Sequence, residues 1–241
     1  MLTRRAGTVG RGGLLSIRAI LFDAYGTLFD VYSISVLAER LHPGRGAALA
    51  ALWRDKQIEY SRLRTLSNHY RPFSLVTEEA LAFALARLGL PTHGDGQRAL
   101  LEEYGRLEPF PENQAALERL RQRGLPLAIL SNGDPPMLER VVAHARLTGM
   151  FSHILSADAV GRFKTAPEVY QLGVDAFGVP ARELLFVSSN GWDACGATWF
   201  GFTTFWINRT GQPPEQLGVS PNRTGRSMQE LVDFVESMVS S

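Results

Sequence analysis

Five short apolar runs, most of them separated by helical patterns, limit what this chain can fold into. They are RAILF at 18–22, PLAIL at 126–130, HILS at 153–156, LLFVS at 184–188 and TTFWI at 203–207. Runs of this length without polar alternation read as strands covered on both faces. Residues 112–123 form a helical pattern that stops at Gly124, and 135–147 opens with Asp134 as N-cap and Pro135 in the first turn. A third helix is expected from Pro167 to 178, and a fourth over 192–200 with a small-residue face. A fifth, over 227–238, follows a Gly/Pro-rich loop at 211–226. Strand–helix alternation of this kind gives an α/β protein built on a parallel sheet. The 241 residues, 45% of them apolar, suffice for one large domain or for a core with an insertion.

The insertion lies between the first two runs. Residues 31–107 contain no good strand but show helical patterns at about 33–41, 46–66, 75–89 and 95–107. The second is long and amphipathic, with Leu49, Leu52, Trp53, Lys56, Ile58, Tyr60 and Leu63. A stretch this long is no simple crossover; it predicts a helical cap over 31–107 on a core made of 18–30 and 108–241. Residues 1–17 are Arg- and Gly-rich, lack the apolar segment of a signal peptide, and read as a flexible leader.

Three of the apolar runs finish in polar residues: FDAYGT, AILSNG and LFVSSNGWD. Ligands of open parallel sheets bind beyond the carboxyl ends of the strands. Asp23, Thr27, Ser131, Asn132, Ser188, Ser189, Asn190 and Asp193 should therefore meet at one edge, with Lys164 just past the third strand. An acid at the end of a buried strand is costly unless it is paired or used. Taken singly, such an aspartate commonly caps a helix or forms a turn; the ordered set of three polar strand ends is what points to chemistry.

Composition removes other classes. A net charge of +1 gives no case for nucleic acid or an anionic membrane surface. No stretch reaches the ~18 uninterrupted apolar residues of a membrane span. The single cysteine, Cys195, excludes an internal disulfide and any cysteine-cluster metal site, which suits a reducing cytoplasm. Two N-x-T matches, at Asn208 and Asn222, read as chance without a secretion signal.

The segments FDAYGTLFD, PGRGAALAALWRDKQIEYSRLR, LAILSNG, FKTAPEVY, LFVSSNGWDACGA and FGFTTFWINRTG together resemble the haloacid dehalogenase superfamily, and within it the L-2-haloacid dehalogenases, from about residue 17 to 238. The resemblance implies a Rossmann-like parallel-sheet core with an inserted helical cap domain, no cofactor and no metal, and a homodimer. It implies that Asp23 attacks C2 of a short 2-haloalkanoate and expels halide, leaving an ester that water hydrolyses at the aspartate carbonyl. Inversion at carbon turns an (S)-2-haloacid into an (R)-2-hydroxy acid. Nucleophile and substrate are both carboxylates; about 4 Å apart they repel by roughly 4 kcal/mol at an effective dielectric of ~20. Arg54 is implied to contact substrate and receive the halide with Asn132 and an aromatic wall of Tyr25, Phe73 and Trp192. Lys164 would orient Asp23, Thr27 would donate to its carboxylate, and Ser131 with nearby amides would bind the substrate carboxylate. Asp193 would serve the water, Ser188 and Asn190 would orient water or Asp23, and Tyr170 would hydrogen-bond behind them.

Tyr25 separates this reading from its nearest rival. The phosphatases of the superfamily usually carry a second aspartate two residues after the first, as general acid, and bind magnesium through an acid-rich segment after the fourth strand. Here those places hold Tyr25 and SSNGWD. Halide leaves without a proton. A magnesium-dependent phosphatase and a non-catalytic carboxylate binder are the two alternatives. Two further departures are Thr165, where the family commonly has proline, and Gly191, where a small non-glycine residue is usual.

Overall fold

The computed structural model describes residues 17–239; apart from Ile17, the expected leader lies outside the described residues. Six strands form one parallel sheet: β1 (Ala19–Phe22), β2 (Leu127–Ser131), β3 (His153–Ser156), β4 (Leu184–Ser188), β5 (Thr203–Ile207) and β6 (Arg223–Gly225). Their order is β3-β2-β1-β4-β5-β6. The strand order thus reverses at β1, which pairs with β2 on one side (Phe22 opposite Ile129) and β4 on the other (Phe22 opposite Val187). The crevice at such a switch point is where open α/β sheets bind ligands.

Helices α5 (Asn113–Gln122), α6 (Pro135–His144), α7 (Pro167–Phe177), α8 (Gly191–Phe200) and α9 (Met228–Val239) complete this part. α5 packs with α9, and α7 with α8, in two layers against the sheet. Both faces are covered, so every residue of β1, β2, β4 and β5 is buried and none of these strands needs polar alternation. The Asp134 carboxylate accepts from the Met137 N–H as α6 begins, and Pro135 and Pro167 stand in the first turns of α6 and α7.

Between β1 and α5 come α1 (Ile34–Leu41), α2 (Gly46–Leu66), α3 (Phe73–Arg87) and α4 (Asp95–Tyr104). α2 packs against α1 and α3, and α4 against α1 and α3. The buried stripe of α2 differs from the sequence expectation. It runs through Leu49, Ala50, Trp53, Gln57 and Ser61, whereas Leu63 is exposed. Polar Gln57 and Ser61 take the inward positions because they face a polar site.

β6 was expected to be loop. It has no apolar run; backbone pairing to β5 and the Asn222 side-chain amide hold it instead. Asn222 Oδ1 accepts from the Thr204 N–H and lies 3.0 Å from its hydroxyl, and the Asn208 N–H donates to the Gly225 carbonyl. Both N-x-T asparagines are thus occupied within the fold, Asn208 also exchanging hydrogen bonds with Gln212.

Candidate active site

Asp23 follows the last residue of β1, and its backbone N–H continues the ladder to the Val187 carbonyl at 2.9 Å. The chain then turns through Gly26, whose φ of +92° is one that side-chain-bearing residues rarely adopt. This tight turn brings the Thr27 hydroxyl back to Asp23 Oδ2 at 3.0 Å. The Ser189 N–H donates to Thr27 Oγ1 at 2.8 Å, leaving the hydroxyl proton to point at the carboxylate. From the end of β4, Asn190 Nδ2 donates to the same Oδ2 at 2.8 Å. Ser188 does not reach Asp23; its hydroxyl accepts from the Asn190 N–H at 3.1 Å and so shapes the turn that aims Asn190.

Lys164 bridges Asp23 and Asp193. Its Nζ lies 3.0 Å from Asp23 Oδ1 and 2.8 Å from Asp193 Oδ2, and its side chain is 1% exposed. Burial works against the ammonium charge, but Asp193 and Asp23 outweigh it and hold the Lys164 pKa above the ordinary lysine value. Asp193, in the first turn of α8, also accepts from the Tyr170 hydroxyl at 2.7 Å. Burial raises its pKa above the usual carboxylate value, opposed by Lys164 and reinforced by Asp23. Gly196 makes room for this contact: a Cβ there would stand 2.7 Å from the Tyr170 oxygen.

The pocket side is built from both parts of the chain. Asp23, Tyr25, Arg54, Ile58, Phe73, Ser131, Asn132, Asn190 and Trp192 line, with Ser61, a cavity of about 10 Å³, room for about one water. Two larger clefts, of about 550 and 700 Å³, do not include Asp23. Arg54 enters from α2. It donates to the Tyr25 carbonyl at 3.2 Å, to Asn190 Oδ1 at 3.4 Å and to Gln57 Oε1 at 2.9 Å. All three acceptors are neutral, so its charge remains available to an anion. Asn132 Oδ1 accepts from the Lys164 backbone N–H at 2.8 Å, which leaves the Asn132 amide protons to the cavity. Ser131 Oγ accepts from the Gly133 N–H, leaving its own proton free to be donated.

Tyr25 is buried against Phe73, Tyr104 and Phe29, with ring centroids 6.0, 5.4 and 6.5 Å away. Burial, with nearby Tyr104 and Asp134, pushes its pKa well above the ordinary tyrosine value, so it is a neutral donor. Among the described residues its hydroxyl is buried without a hydrogen-bond partner. Trp192 is half-buried beneath the Arg62 guanidinium, 5.0 Å from its ring centre. Among the described residues no three His, Cys, Asp or Glu side chains gather in a way that could hold a metal.

The sequence expectations omitted Gln57 from this set. Its amide is fully buried and joins Arg54 and the Tyr104 hydroxyl, both on Oε1 at 2.9 Å, to Thr77 Oγ1 at 2.6 Å. The available signal was a polar residue one turn beyond Arg54 and in phase with buried Trp53.

These features define a hydrolase class. The haloacid dehalogenase-like hydrolase family model matches residues 17–201, and the chain belongs to that family. It is similar to the (S)-2-haloacid dehalogenase of Pseudomonas sp. (strain YL), at 46% identity over 92% of this chain and 95% of that one. It is also similar to the solved L-2-haloacid dehalogenase RSc1362, at 58% identity and a TM-score of 0.90 over 92% of this chain and 99% of that one. The L-2-haloacid dehalogenase of Xanthobacter autotrophicus, solved with chloropropionic acid covalently bound, matches at 38% identity and a TM-score of 0.87 over 92% and 99% of the two chains.

Proposed function

We propose that this chain hydrolyses the carbon–halogen bond of short (S)-2-haloalkanoates with inversion, through an ester on Asp23. It is an (S)-2-haloacid dehalogenase, a hydrolase acting on carbon–halide bonds. The observation that carries the reading is the setting of Asp23: its two oxygens accept from Lys164, Thr27 and Asn190, while Tyr25 stands where phosphoryl transfer would need an acid.

Before substrate binds, the site holds two carboxylates, Asp23 and Asp193, and two cations, Lys164 and Arg54. Substrate adds one negative charge. The Ser131 hydroxyl and the neighbouring backbone amides after β2 receive its carboxylate. Arg54, the Asn132 amide and the Tyr25 hydroxyl collect the departing halide, against the rings of Phe73 and Trp192. Asp23 displaces halide from C2; the bond to carbon forms on the face opposite the one that breaks, which gives inversion. Thr27 and Asn190 then donate to the ester and its tetrahedral oxyanion, where one such donor is typically worth about 3 kcal/mol. Asp193 takes the proton of the attacking water, its raised pKa suiting a base, with Lys164 and Tyr170 holding its orientation. Asn190, aimed by Ser188, helps place that water.

A cavity of about 10 Å³ cannot hold a haloacid. Residues 31–107 act as a cap domain over a core of 18–30 and 108–241, and access opens by movement between them. Two copies pair through apolar side chains left exposed on α2 and α8, among them Leu66 (79% exposed) and Trp199 (57%). The cytoplasm is the proposed location, in keeping with the free Cys195; no helix among the described residues is long and apolar enough to cross a membrane.

The test is chiral analysis of the products from racemic 2-chloropropionate. (R)-Lactate with unreacted (R)-2-chloropropionate is expected. Retained configuration, or no chloride release together with magnesium-dependent cleavage of a phosphate ester, would overturn the reading.

A further inference from the structure

Arg209 follows β5 in the segment FWINRTG, and the chemistry above makes no use of it. Its side chain is only 17% exposed. Nε meets Glu112 Oε1 at 3.0 Å, Nη1 donates to Ser189 Oγ at 2.7 Å, and Nη2 donates to the Thr27 carbonyl at 3.2 Å. The guanidinium also lies 3.8 Å from the Phe110 ring centre. One rigid planar fork therefore joins three segments. Thr27 belongs to the turn after β1, Ser189 to the turn after β4, and Phe110 and Glu112 to the segment that returns from the helical insertion. That return segment is itself laced to the β1 turn: the Phe110 N–H donates to the Leu28 carbonyl at 3.2 Å, and Asn113 Nδ2 donates to it at 2.8 Å.

We infer that Arg209 is a positioning residue for Asp23, acting through the Thr27 hydroxyl and tying that donor to the return segment of the insertion. The Thr27 proton points at Asp23 because the Ser189 N–H fills the other side of Thr27 Oγ1. Arg209 holds both ends of this relay, the Ser189 side chain and the Thr27 carbonyl. A shift of the return segment pulls on the same guanidinium, so the position of the insertion and the aim of the donor are mechanically linked.

The inference rests on Asp23 as nucleophile, and the experiment separates the two. Single-turnover halide release from (S)-2-chloropropionate is measured for wild type, Arg209→Gln, Arg209→Lys, Thr27→Val and the double variant Arg209→Gln/Thr27→Val. Arg209→Gln should lower the rate by about tenfold with KM nearly unchanged, a fraction of the loss of a direct donor. Arg209→Lys, which keeps the charge without the fork, should not restore it. In the Thr27→Val background the Arg209→Gln loss should fall below about twofold, since its route of action is gone. Equal losses in both backgrounds, or a lowered melting temperature with an unchanged rate, would overturn the inference. Should Arg209→Gln fail to fold, Glu112→Gln replaces it, with a smaller loss that again disappears in the Thr27→Val background and a background-independent loss counting against the inference. A wild type that releases no halide defeats the nucleophile reading and this inference together; an active wild type with an unaffected Arg209→Gln defeats this inference alone.

Discussion

Replacing Lys164 by methionine removes the charge between two buried carboxylates while keeping a side chain of similar length against the Phe186 ring, 4.7 Å from Nζ. Asp23 Oδ1 and Asp193 Oδ2 lie 3.0 and 2.8 Å from that Nζ, so they are no more than about 6 Å apart. At an effective dielectric of ~20, two charges about 6 Å apart repel by about 3 kcal/mol. With the ammonium gone that repulsion is no longer offset, so the Asp193 pKa, already raised by burial, should rise further. The acid limb of the pH–rate profile should therefore move to higher pH, with part of the lost turnover regained at alkaline pH. Stability should fall by about 3–5 kcal/mol near neutrality, the usual cost of stripping one partner from a buried pair. An acid whose folded pKa exceeds its unfolded value costs stability above the unfolded pKa, and that cost fades as pH falls. The melting-temperature gap between variant and wild type should accordingly narrow in acid. In the wild type, Lys164 has a folded pKa above 10.5, so its contribution is complete below 10.5 and is lost as pH rises through the folded value. Halide release and thermal melting from about pH 5 to 10 cover the acid limb and stay below the Lys164 transition. An unshifted acid limb in Lys164→Met would refute the reasoning, because the two acids would then not be coupled through the ammonium.

Asp193→Asn should separate the two chemical steps: a burst of about one halide per site, then turnover slowed by more than about a hundredfold as ester accumulates. Steady turnover without a burst would remove Asp193 from ester hydrolysis. Gln57→Leu should leave Arg54 and the Tyr104 hydroxyl without their shared acceptor, destabilise the fold by about 1–3 kcal/mol and lower turnover. Calorimetry and halide release test both effects, and an unchanged rate would show that Arg54 needs no such anchor.

The sheet was legible because its central strands are covered on both faces and so leave continuous apolar runs; AILF, LAILS, LLFVS and TTFWI each became a strand to within a residue or so. β6 left no such trace. Three residues held at an edge by Asn222 and Asn208 have no hydrophobic period to read. Asp23, Ser131, Ser188 and Asn190 could be expected at one edge because the strand ends of a parallel sheet converge there. The convergence of Arg54 and Phe73 on that edge came from family likeness, since nothing in the helical period of α2 distinguishes Arg54 from a solvated arginine. Gln57 and Arg209 escaped because their partners are distant in sequence: Thr77 and Tyr104 for the first, Thr27, Glu112 and Ser189 for the second. Only the folded chain brings those groups together.

A single turnover in heavy-oxygen water, with enzyme in excess over (S)-2-chloropropionate, asks most directly whether Asp23 bonds to carbon. After digestion, mass spectrometry should find the heavy oxygen in the peptide that carries Asp23, with the first lactate formed unlabelled, because water attacks the aspartyl carbonyl and the product oxygen comes from the enzyme. Label appearing at once in lactate, with an unlabelled Asp23 peptide, would mean that water attacks the substrate carbon itself.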